Sequence, residues 1–144
     1  MPHMILSITP NPSLDVSGLV EELIPNEKSY VFEEKRHPGG NGVNAGVMAQ
    51  NLGGRVIVSG FLGGDTGQEY SDLLKEIKLR QDFVLIKGHT RTNMTISQNK
   101  SQSQTRLSFM GPKIKKEEAN LLIKKVSKIT CSQIIIGGSE VPQV

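Results

Sequence analysis

The sequence has 144 residues, of which 36% are hydrophobic, and this is enough for one ordinary domain with a hydrophobic core. It has a formal net charge of only +3, no tryptophan and 4% aromatic residues, so we expect no nucleic-acid partner. It contains neither a stretch of about 18 apolar residues nor a charged segment followed by a hydrophobic one at its N-terminus, so we expect no membrane partner and a cytoplasmic location.

The first part of the chain combines one buried strand with half-exposed strands. The apolar run Met4 to Ile8 predicts a strand buried on both faces, as in a parallel sheet. Period-two alternation then predicts half-exposed strands, first where Leu14 and Val16 alternate with polar residues and again around Tyr30 and Phe32. We expect these later strands to form a small antiparallel sheet, called the lid below.

A glycine-rich turn comes next and places bare backbone where a helix begins, at Pro38-Gly39-Gly40-Asn41-Gly42-Val43-Asn44-Ala45-Gly46. Such a turn lets main-chain N–H groups approach a small anionic ligand. A tight turn with an asparagine N-cap is the alternative interpretation. A stripe of small residues along the helix predicts close packing of its backbone: Gly42, Ala45, Gly46, Ala49 and Gly53.

The rest of the chain alternates apolar runs with segments of helical period. Buried strands are predicted at Val56 to Val58, Phe83 to Ile86 and Ile134 to Ile136. Two helices are predicted from apolar residues on one face: Tyr70, Leu73, Leu74 and Ile77 in the first, and Ala119, Leu122, Ile123 and Val126 in the second. Lid strands return around Met94 and Ile96 and around Leu107 and Phe109, joined by a hairpin at Gln98 to Gln104.

Five motifs in this order resemble the PfkB (ribokinase-like) carbohydrate kinases from residue 4 to about residue 141. They are Asn11-Pro12-Ser13-Leu14-Asp15, Pro38 to Asn44, Leu62-Gly63-Gly64-Asp65-Thr66-Gly67, Arg91-Thr92-Asn93 and Gly137-Gly138-Ser139. The opening Thr9 to Asp15 and the Arg91 element are most similar to the ketohexose-phosphate branch, which comprises 1-phosphofructokinases, tagatose-6-phosphate kinases and minor 6-phosphofructokinases.

The resemblance implies an α/β fold with a ribokinase-like three-layer core, in which helices flank a parallel sheet, and an antiparallel lid with strands at about 13–35 and 91–110. It also implies a kinase that uses MgATP to phosphorylate a ketohexose monophosphate to the bisphosphate. The candidates are fructose 1-phosphate, tagatose 6-phosphate and fructose 6-phosphate. A homodimer formed through the lids is the expected partner arrangement.

The resemblance further assigns roles to eight residues of this chain. Asp15 would accept hydrogen bonds from sugar hydroxyls, and Arg91 would bind the phosphate already on the substrate. Lys28 and Arg106 would assist, across the dimer interface. The remaining residues would hold the sugar at the helix N-terminus or line the site: Gly39, Gly40, Asn44 and Ser139. From the residues alone, the favoured interpretation is a solvated surface for Asp15, Lys28 and Arg106, and a turn for Ser139.

Members of the family are about twice as long, and their general-base aspartate motif, their Asn-x-x-Glu magnesium element and their nucleotide site would lie beyond residue 144. We therefore expect residues 1–144 to be the truncated, N-terminal, sugar-binding half of a kinase domain. It would hold no catalytic or metal-binding residue and be inactive alone. Glu140 departs from the family, which has an apolar residue before the following proline.

Two other functions are compatible with parts of the sequence. A non-catalytic sugar-phosphate-binding or regulatory module would need the same candidate residues and no ATP site. Dinucleotide binding is suggested by Gly40-x-Gly42-x-x-Ala45, but that fingerprint follows a buried strand directly, whereas the charged segment Glu33 to Pro38 precedes it here.

Overall fold

The computed structural model describes residues 3–142, which form a core sheet with helices on both faces and a separate lid sheet. The strands are β1 (Met4–Thr9), β2 (Ser13–Val20), β3 (Phe32–Gly39), β4 (Arg55–Leu62), β5 (Arg80–Gln81), β6 (Val84–Leu85), β7 (Arg91–Gln98), β8 (Gln104–Leu107) and β9 (Gln133–Ile136). The helices are α1 (Asn41–Asn51), α2 (Gly64–Glu76) and α3 (Lys116–Val126). The core sheet has the order β5-β4-β1-β9, with β6 pairing with the end of β4, and the lid has the order β3-β2-β7-β8.

The core has three layers, as predicted. On one face of the parallel sheet, side chains of α1 and α2 such as Val43, Tyr70 and Leu74 pack against β4. On the other face, Leu6 and Ile8 of β1 pack against apolar residues of α3. Because β1 and β4 lie between two helical layers, their side chains point into apolar surroundings on both sides, which explains their continuous apolar runs.

Two of the predicted buried strands are less buried than their sequences suggest. Ile134 and Ile136 of β9 are 60% and 69% exposed, because β9 pairs only with β1 and lies at the edge of the core sheet. In the run from Phe83 to Ile86 only β6 is a strand, and Leu85 is 82% exposed. An apolar run therefore predicted the strand at these positions but not the burial.

The stripe of small residues brings α1 close to the core sheet. A Cβ atom on Gly42 would lie 2.6 Å from the carbonyl oxygen of Ile8, and one on Gly46 would lie 2.9 Å from Cγ1 of Val58. Gly53 lies beyond the end of α1 and has nothing within 4 Å of its Cβ position. Contrary to the prediction, it is therefore not part of the packed stripe. The close approach places the N-terminus of α1 at the carboxyl end of β1.

The lid is a mixed sheet, which corrects the prediction of a wholly antiparallel one. Its outer pairs, β2 with β3 and β7 with β8, are antiparallel, but the central strands β2 and β7 pair in parallel. The reason is topological: β2 follows β1 and β7 follows β6, and both core strands leave the parallel sheet at its carboxyl edge. The segments that lead into β2 and β7 therefore enter the lid in the same direction.

The second lid strand also differs from its predicted position. The sequence places a strand around Tyr30 and Phe32, whereas β3 begins at Phe32 and runs through charged residues to Gly39. β3 is an edge strand with most of its residues exposed, where charged side chains are favourable. Tyr30 precedes the strand, and Phe109 lies beyond the end of β8. The hairpin between β7 and β8 lies where the sequence predicts it.

The helices within residues 3–142 are all too short or too polar to cross a membrane.

Candidate functional site

An open cavity of about 460 Å³ lies where the carboxyl edge of the core sheet meets the lid. It brings together five of the eight predicted site residues: Asp15, Gly40, Asn44, Arg91 and Ser139. Its other lining residues are Ser13, Asn41, Asn93, Ser108 and Gly138. The lining combines one carboxylate, one guanidinium, amides and hydroxyls, so it offers both acceptors and donors to a polar ligand.

Asp15 is the carboxylate of the cavity, and its orientation is fixed by its neighbours on the lid. The Ser13 hydroxyl donates a 2.6 Å hydrogen bond to Oδ1, and Nε2 of His37 lies 3.5 Å from Oδ2. A Cβ atom on Gly39 would clash with the carboxylate, so glycine leaves room for the carboxylate in this orientation. Asp15 is thus held on one side by protein and is open to the cavity on the other.

Gly39 contributes from behind the cavity rather than from its lining. Its carbonyl oxygen accepts a 2.7 Å hydrogen bond from the hydroxyl of Tyr70, which is fully buried. Burial raises the pKa of Tyr70, and the nearby Asp15 charge adds to the effect, so this hydroxyl stays protonated and keeps donating. The hydrogen bond anchors the turn that leads into α1.

The N-terminus of α1 opens onto the cavity. Gly40 is the N-cap residue with a φ of 117°, a conformation that favours glycine, and no side chain caps the helix. The predicted alternative, an asparagine N-cap, is therefore wrong. Asn41 and Asn44 instead line the cavity, so both amides and the uncapped first turn of α1 are available to a ligand.

Arg91 begins β7 and connects three segments that lie far apart in sequence. Its Nη1 donates to the carbonyl oxygen of Phe109 at 2.9 Å, and its Nη2 donates to the carbonyl of Asn11 at 3.0 Å and to Oγ of Ser139 at 2.6 Å. Burial lowers the pKa of Arg91 and the Asp15 carboxylate opposes that shift. The guanidinium stays charged, because the ordinary pKa of arginine is so high.

Arg106 and Lys28 lie outside this cavity. Arg106 lines an adjoining cavity of about 300 Å³, which shares Asp15, Asn93 and Ser108 with the first. Lys28 lies between β2 and β3, with its ammonium 5.1 Å from the centre of the Tyr30 ring. Within one protomer the structure therefore places Arg106 next to the site and Lys28 away from it.

Several polar residues of the site are not among those predicted from the sequence. Asn93 lies in the same motif as Arg91, and its side-chain oxygen accepts a 3.1 Å hydrogen bond from the backbone N–H of Phe109. Asn11 belongs to the first motif and lies under the cavity, 2% exposed. Their positions inside recognised motifs were the available signal. The side chain of His37 is mostly exposed to solvent and also lies beside Asp15.

A larger cavity, of about 720 Å³, lies between α2 and the segment that follows it. Several of its polar side chains are already paired: Ser71 donates to Gln81, and Lys75 pairs with Asp72. It contains none of the predicted site residues, so size alone does not identify it as the functional site.

Comparison with known proteins agrees with the predicted fold and family. The family model described as pfkB family carbohydrate kinase matches residues 9–143. The chain is 30% identical to 1-phosphofructokinase of Borreliella burgdorferi over 139 residues, which are 96% of this chain and 45% of that protein. It is 34% identical to 1-phosphofructokinase of Vibrio cholerae over 96 residues, which are 67% of this chain and 30% of that protein.

The crystal structure of phosphofructokinase-2 from Escherichia coli in complex with fructose-6-phosphate has the same fold. The TM-score is 0.91 with 28% sequence identity, and the match covers 100% of this chain and 48% of that one. The ribokinase-like α/β fold predicted from the sequence is thereby confirmed. The chain spans less than half the length of each of these relatives.

Proposed function

Because the chain belongs to the pfkB family of carbohydrate kinases, we propose that it is the sugar-phosphate-binding half of a kinase acting on a ketohexose monophosphate. The complete enzyme would transfer phosphate from MgATP to fructose 1-phosphate, tagatose 6-phosphate or fructose 6-phosphate. The observation that carries the proposal is the single cavity that contains Asp15, Asn44, Arg91 and Ser139. The naming of two relatives as 1-phosphofructokinases supports the substrate class.

The carboxylate side of the cavity suits the hydroxyls of a sugar. Asp15 has one oxygen bound by Ser13 and further lone pairs free to accept hydrogen bonds from a ligand. Asn44 and the uncapped N-terminus of α1, which begins after Gly40, supply donors to ring or hydroxyl oxygens. Gly39 supports this side by leaving room for the Asp15 carboxylate.

The guanidinium side of the cavity suits a phosphate. Arg91 and Ser139 are joined by a 2.6 Å hydrogen bond and both line the cavity. A phosphate oxygen arriving here would take the place of the Ser139 hydroxyl on Nη2, and the hydroxyl would then donate to the phosphate. The charge of Arg91 and the hydroxyl of Ser139 would bind the phosphate already on the sugar.

The described residues do not account for magnesium or nucleotide binding. No group of three or more His, Cys, Asp or Glu side chains between residues 3 and 142 is placed to hold a metal ion. Asp15 is the one carboxylate that lines the cavity. MgATP would supply the transferred phosphoryl group, but the residues in hand do not fit it. We therefore assign to this chain only the binding and orientation of the sugar phosphate.

A homodimer through the lids completes the proposal. Large apolar side chains are exposed on and around the lid: Tyr30, Val31, Phe32, Met94, Leu107 and Phe109. Pairing of two lids would cover them. It would also give Lys28 a role that it lacks within one protomer, because Lys28 of the partner subunit would then be able to approach the cavity beside Arg106.

Calorimetric titration with the three sugar phosphates tests the proposal. We expect the chain to bind at least one of them and to form no ADP when MgATP is added. Binding of none would contradict the proposal, and ADP formation would show that residues of this chain do supply the nucleotide site. A non-catalytic binding module, favoured by the lack of a metal cluster in the described part of the chain, predicts the same binding. Assaying ADP formation with the protein purified from its own cells separates the kinase from the non-catalytic binding module, because only the kinase forms ADP.

A further inference from the structure

Asn11 lies between β1 and β2, directly under the candidate site but outside its lining. Its side chain is almost completely buried, and it is placed between two prolines, Pro10 and Pro12, in the connection from the core to the lid. Asn11 therefore cannot contact a ligand in the cavity directly. Any effect on the site must act through the residues that it holds.

The amide of Asn11 holds two segments by their main chains. Nδ2 donates to the carbonyl oxygens of Met110 and Glu140, each at 2.9 Å. These carbonyls belong to the segment after β8 and to the segment after β9, respectively, and Glu140 is the neighbour of Ser139. The main-chain carbonyl oxygen of Asn11 accepts a hydrogen bond from Nη2 of Arg91 at 3.0 Å.

Asn11 and Arg91 together connect the same three segments. Arg91 donates to the main chains of Asn11 and Phe109 and to the side chain of Ser139, while Asn11 donates to the next residue along in each of the last two segments. None of these three segments pairs with another through a strand ladder at this point. The positions of Arg91 and Ser139 thus depend on side-chain hydrogen bonds. Asn11 contributes to them through its side-chain amide and through its main-chain carbonyl oxygen.

An amide is the side chain that these contacts require. Two carbonyl oxygens face Nδ2, and an aspartate in its place would present an acceptor to two acceptors. Oδ1 is buried without a hydrogen-bond partner in the described part of the chain, as are Oγ1 of Thr9 and Nε of Arg91. Burying a polar atom without a hydrogen-bond partner is unfavourable. Packing alone would favour apolar side chains around Asn11, so packing does not explain why polar groups are retained there.

We propose that Asn11 is a positioning residue that sets the Arg91 guanidinium and the Ser139 hydroxyl for binding of the substrate phosphate. The inference rests on the proposed function, since it gives Arg91 and Ser139 their ligand. It adds that phosphate affinity is determined by a buried amide that the phosphate never touches.

Replacing Asn11 tests the inference by ligand affinity. We expect Asn11→Ala to weaken binding of the sugar phosphate that the wild type binds by about tenfold, the effect of losing roughly one net hydrogen bond. Gln50→Ala is the matched control, because it also removes an amide-to-carbonyl hydrogen bond, from Gln50 to Ile77 at 3.0 Å, but away from the site. Asn11→Ser keeps a single, shorter donor, so its affinity for the sugar phosphate should lie between those of Asn11→Ala and the wild type. It also serves as the milder variant should Asn11→Ala not fold.

A double-mutant cycle separates positioning from general stability. If Asn11 acts through Ser139, the effect of Asn11→Ala on the dissociation constant should be much smaller in a Ser139→Ala background. Equal effects in both backgrounds would overturn the role assigned to Asn11 through Ser139, because a merely structural loss does not depend on the Ser139 hydroxyl. Unchanged affinity in Asn11→Ala would overturn it too, while leaving the proposed function intact.

Hydrogen exchange without ligand keeps the two hypotheses distinguishable. In Asn11→Ala, or in Asn11→Ser if needed, we expect faster exchange in residues 108–111 and 138–141 and no change there in Gln50→Ala. If the wild type binds none of the three sugar phosphates, the proposed function fails, and this exchange result alone decides whether Asn11 holds the segments. Unchanged exchange would overturn the inference.

Discussion

The Asp15 carboxylate is the side chain on which sugar recognition should depend most directly. In Asp15→Asn the amide keeps one acceptor oxygen but loses the charge and part of the accepting capacity, and its NH₂ group faces donors. Because hydrogen bonds to a charged group contribute about 1.5–3 kcal/mol, we expect the dissociation constant for the sugar phosphate to rise about 10- to 100-fold in a calorimetric titration.

The control for Asp15→Asn is Asp72→Asn, on the exposed face of α2. Asp72 pairs with Lys75 at 2.9 Å and lies away from the cavity, so this change removes a carboxylate without touching the site. Affinity should then match that of the wild type. Equal affinities for all three proteins would remove Asp15 from the proposed site.

Residues of the site could be predicted where a short motif contains them. Asp15, Asn44 and Arg91 each lie in such a motif, and the structure brings them to one cavity. Asn11 could not be given its role from sequence, because its side chain bonds to residues 99 and 129 positions away. The same limit applies to Lys28, whose predicted role involves a partner subunit and stays a prediction.

At the scale of elements, Glu118 connects the start of α3 to the segment after β6. Its two carboxylate oxygens accept hydrogen bonds from the backbone N–H groups of Lys115, at 2.8 Å, and Lys87, at 3.1 Å. These bonds, the one from Lys115 foremost, lower the pKa of Glu118. Stability from a carboxylate with a lowered pKa is present above its unfolded pKa and is lost as pH falls through the folded one.

We therefore expect Glu118→Gln to reduce the free energy of unfolding at pH 7 by about 1 kcal/mol, the usual effect of losing a helix cap. The difference from the wild type should shrink as pH falls below the unfolded glutamate pKa of about 4.3, because the wild-type carboxylate becomes protonated. Urea unfolding at a series of pH values measures both effects. Glu117→Gln, in the same first turn but exposed, should show neither; a pH-independent difference in Glu118→Gln would contradict the explanation.

Elements could be predicted from the sequence where local pattern and environment agree. The apolar runs of β1 and β4 lie between two helical layers, so pattern and burial coincide. β3 was misplaced because an exposed edge strand has no apolar face to produce alternation, and half of its residues are charged. The parallel pairing of β2 with β7 depends on how both strands leave the core sheet, which no local pattern contains.

For the whole molecule, two of the surfaces with exposed apolar side chains lie on the lid and at the edge of the core. On the lid, Met94 and Leu107 lie opposite each other on β7 and β8 and are 39% and 52% exposed. On the core, Ile134 and Ile136 of β9 and Ile123 of α3 are each at least 60% exposed. Either surface would be covered favourably by a second copy, and the proposed dimer uses the lid.

A pair of charge substitutions decides between these surfaces. Leu107→Asp places a carboxylate in the lid surface without disturbing a buried residue, so we expect the wild type to sediment with twice the 15.7 kDa mass and the variant to sediment as a monomer. Ile123→Asp is the matched control, because Ile123 is similarly exposed but lies on α3, and it should leave the dimer intact. A monomeric wild type would contradict the lid dimer, and so would dissociation by Ile123→Asp alone, which would assign the interface to the core. Since the proposed role of Lys28 requires paired lids, Leu107→Asp should also weaken sugar-phosphate binding, whereas Ile123→Asp should not.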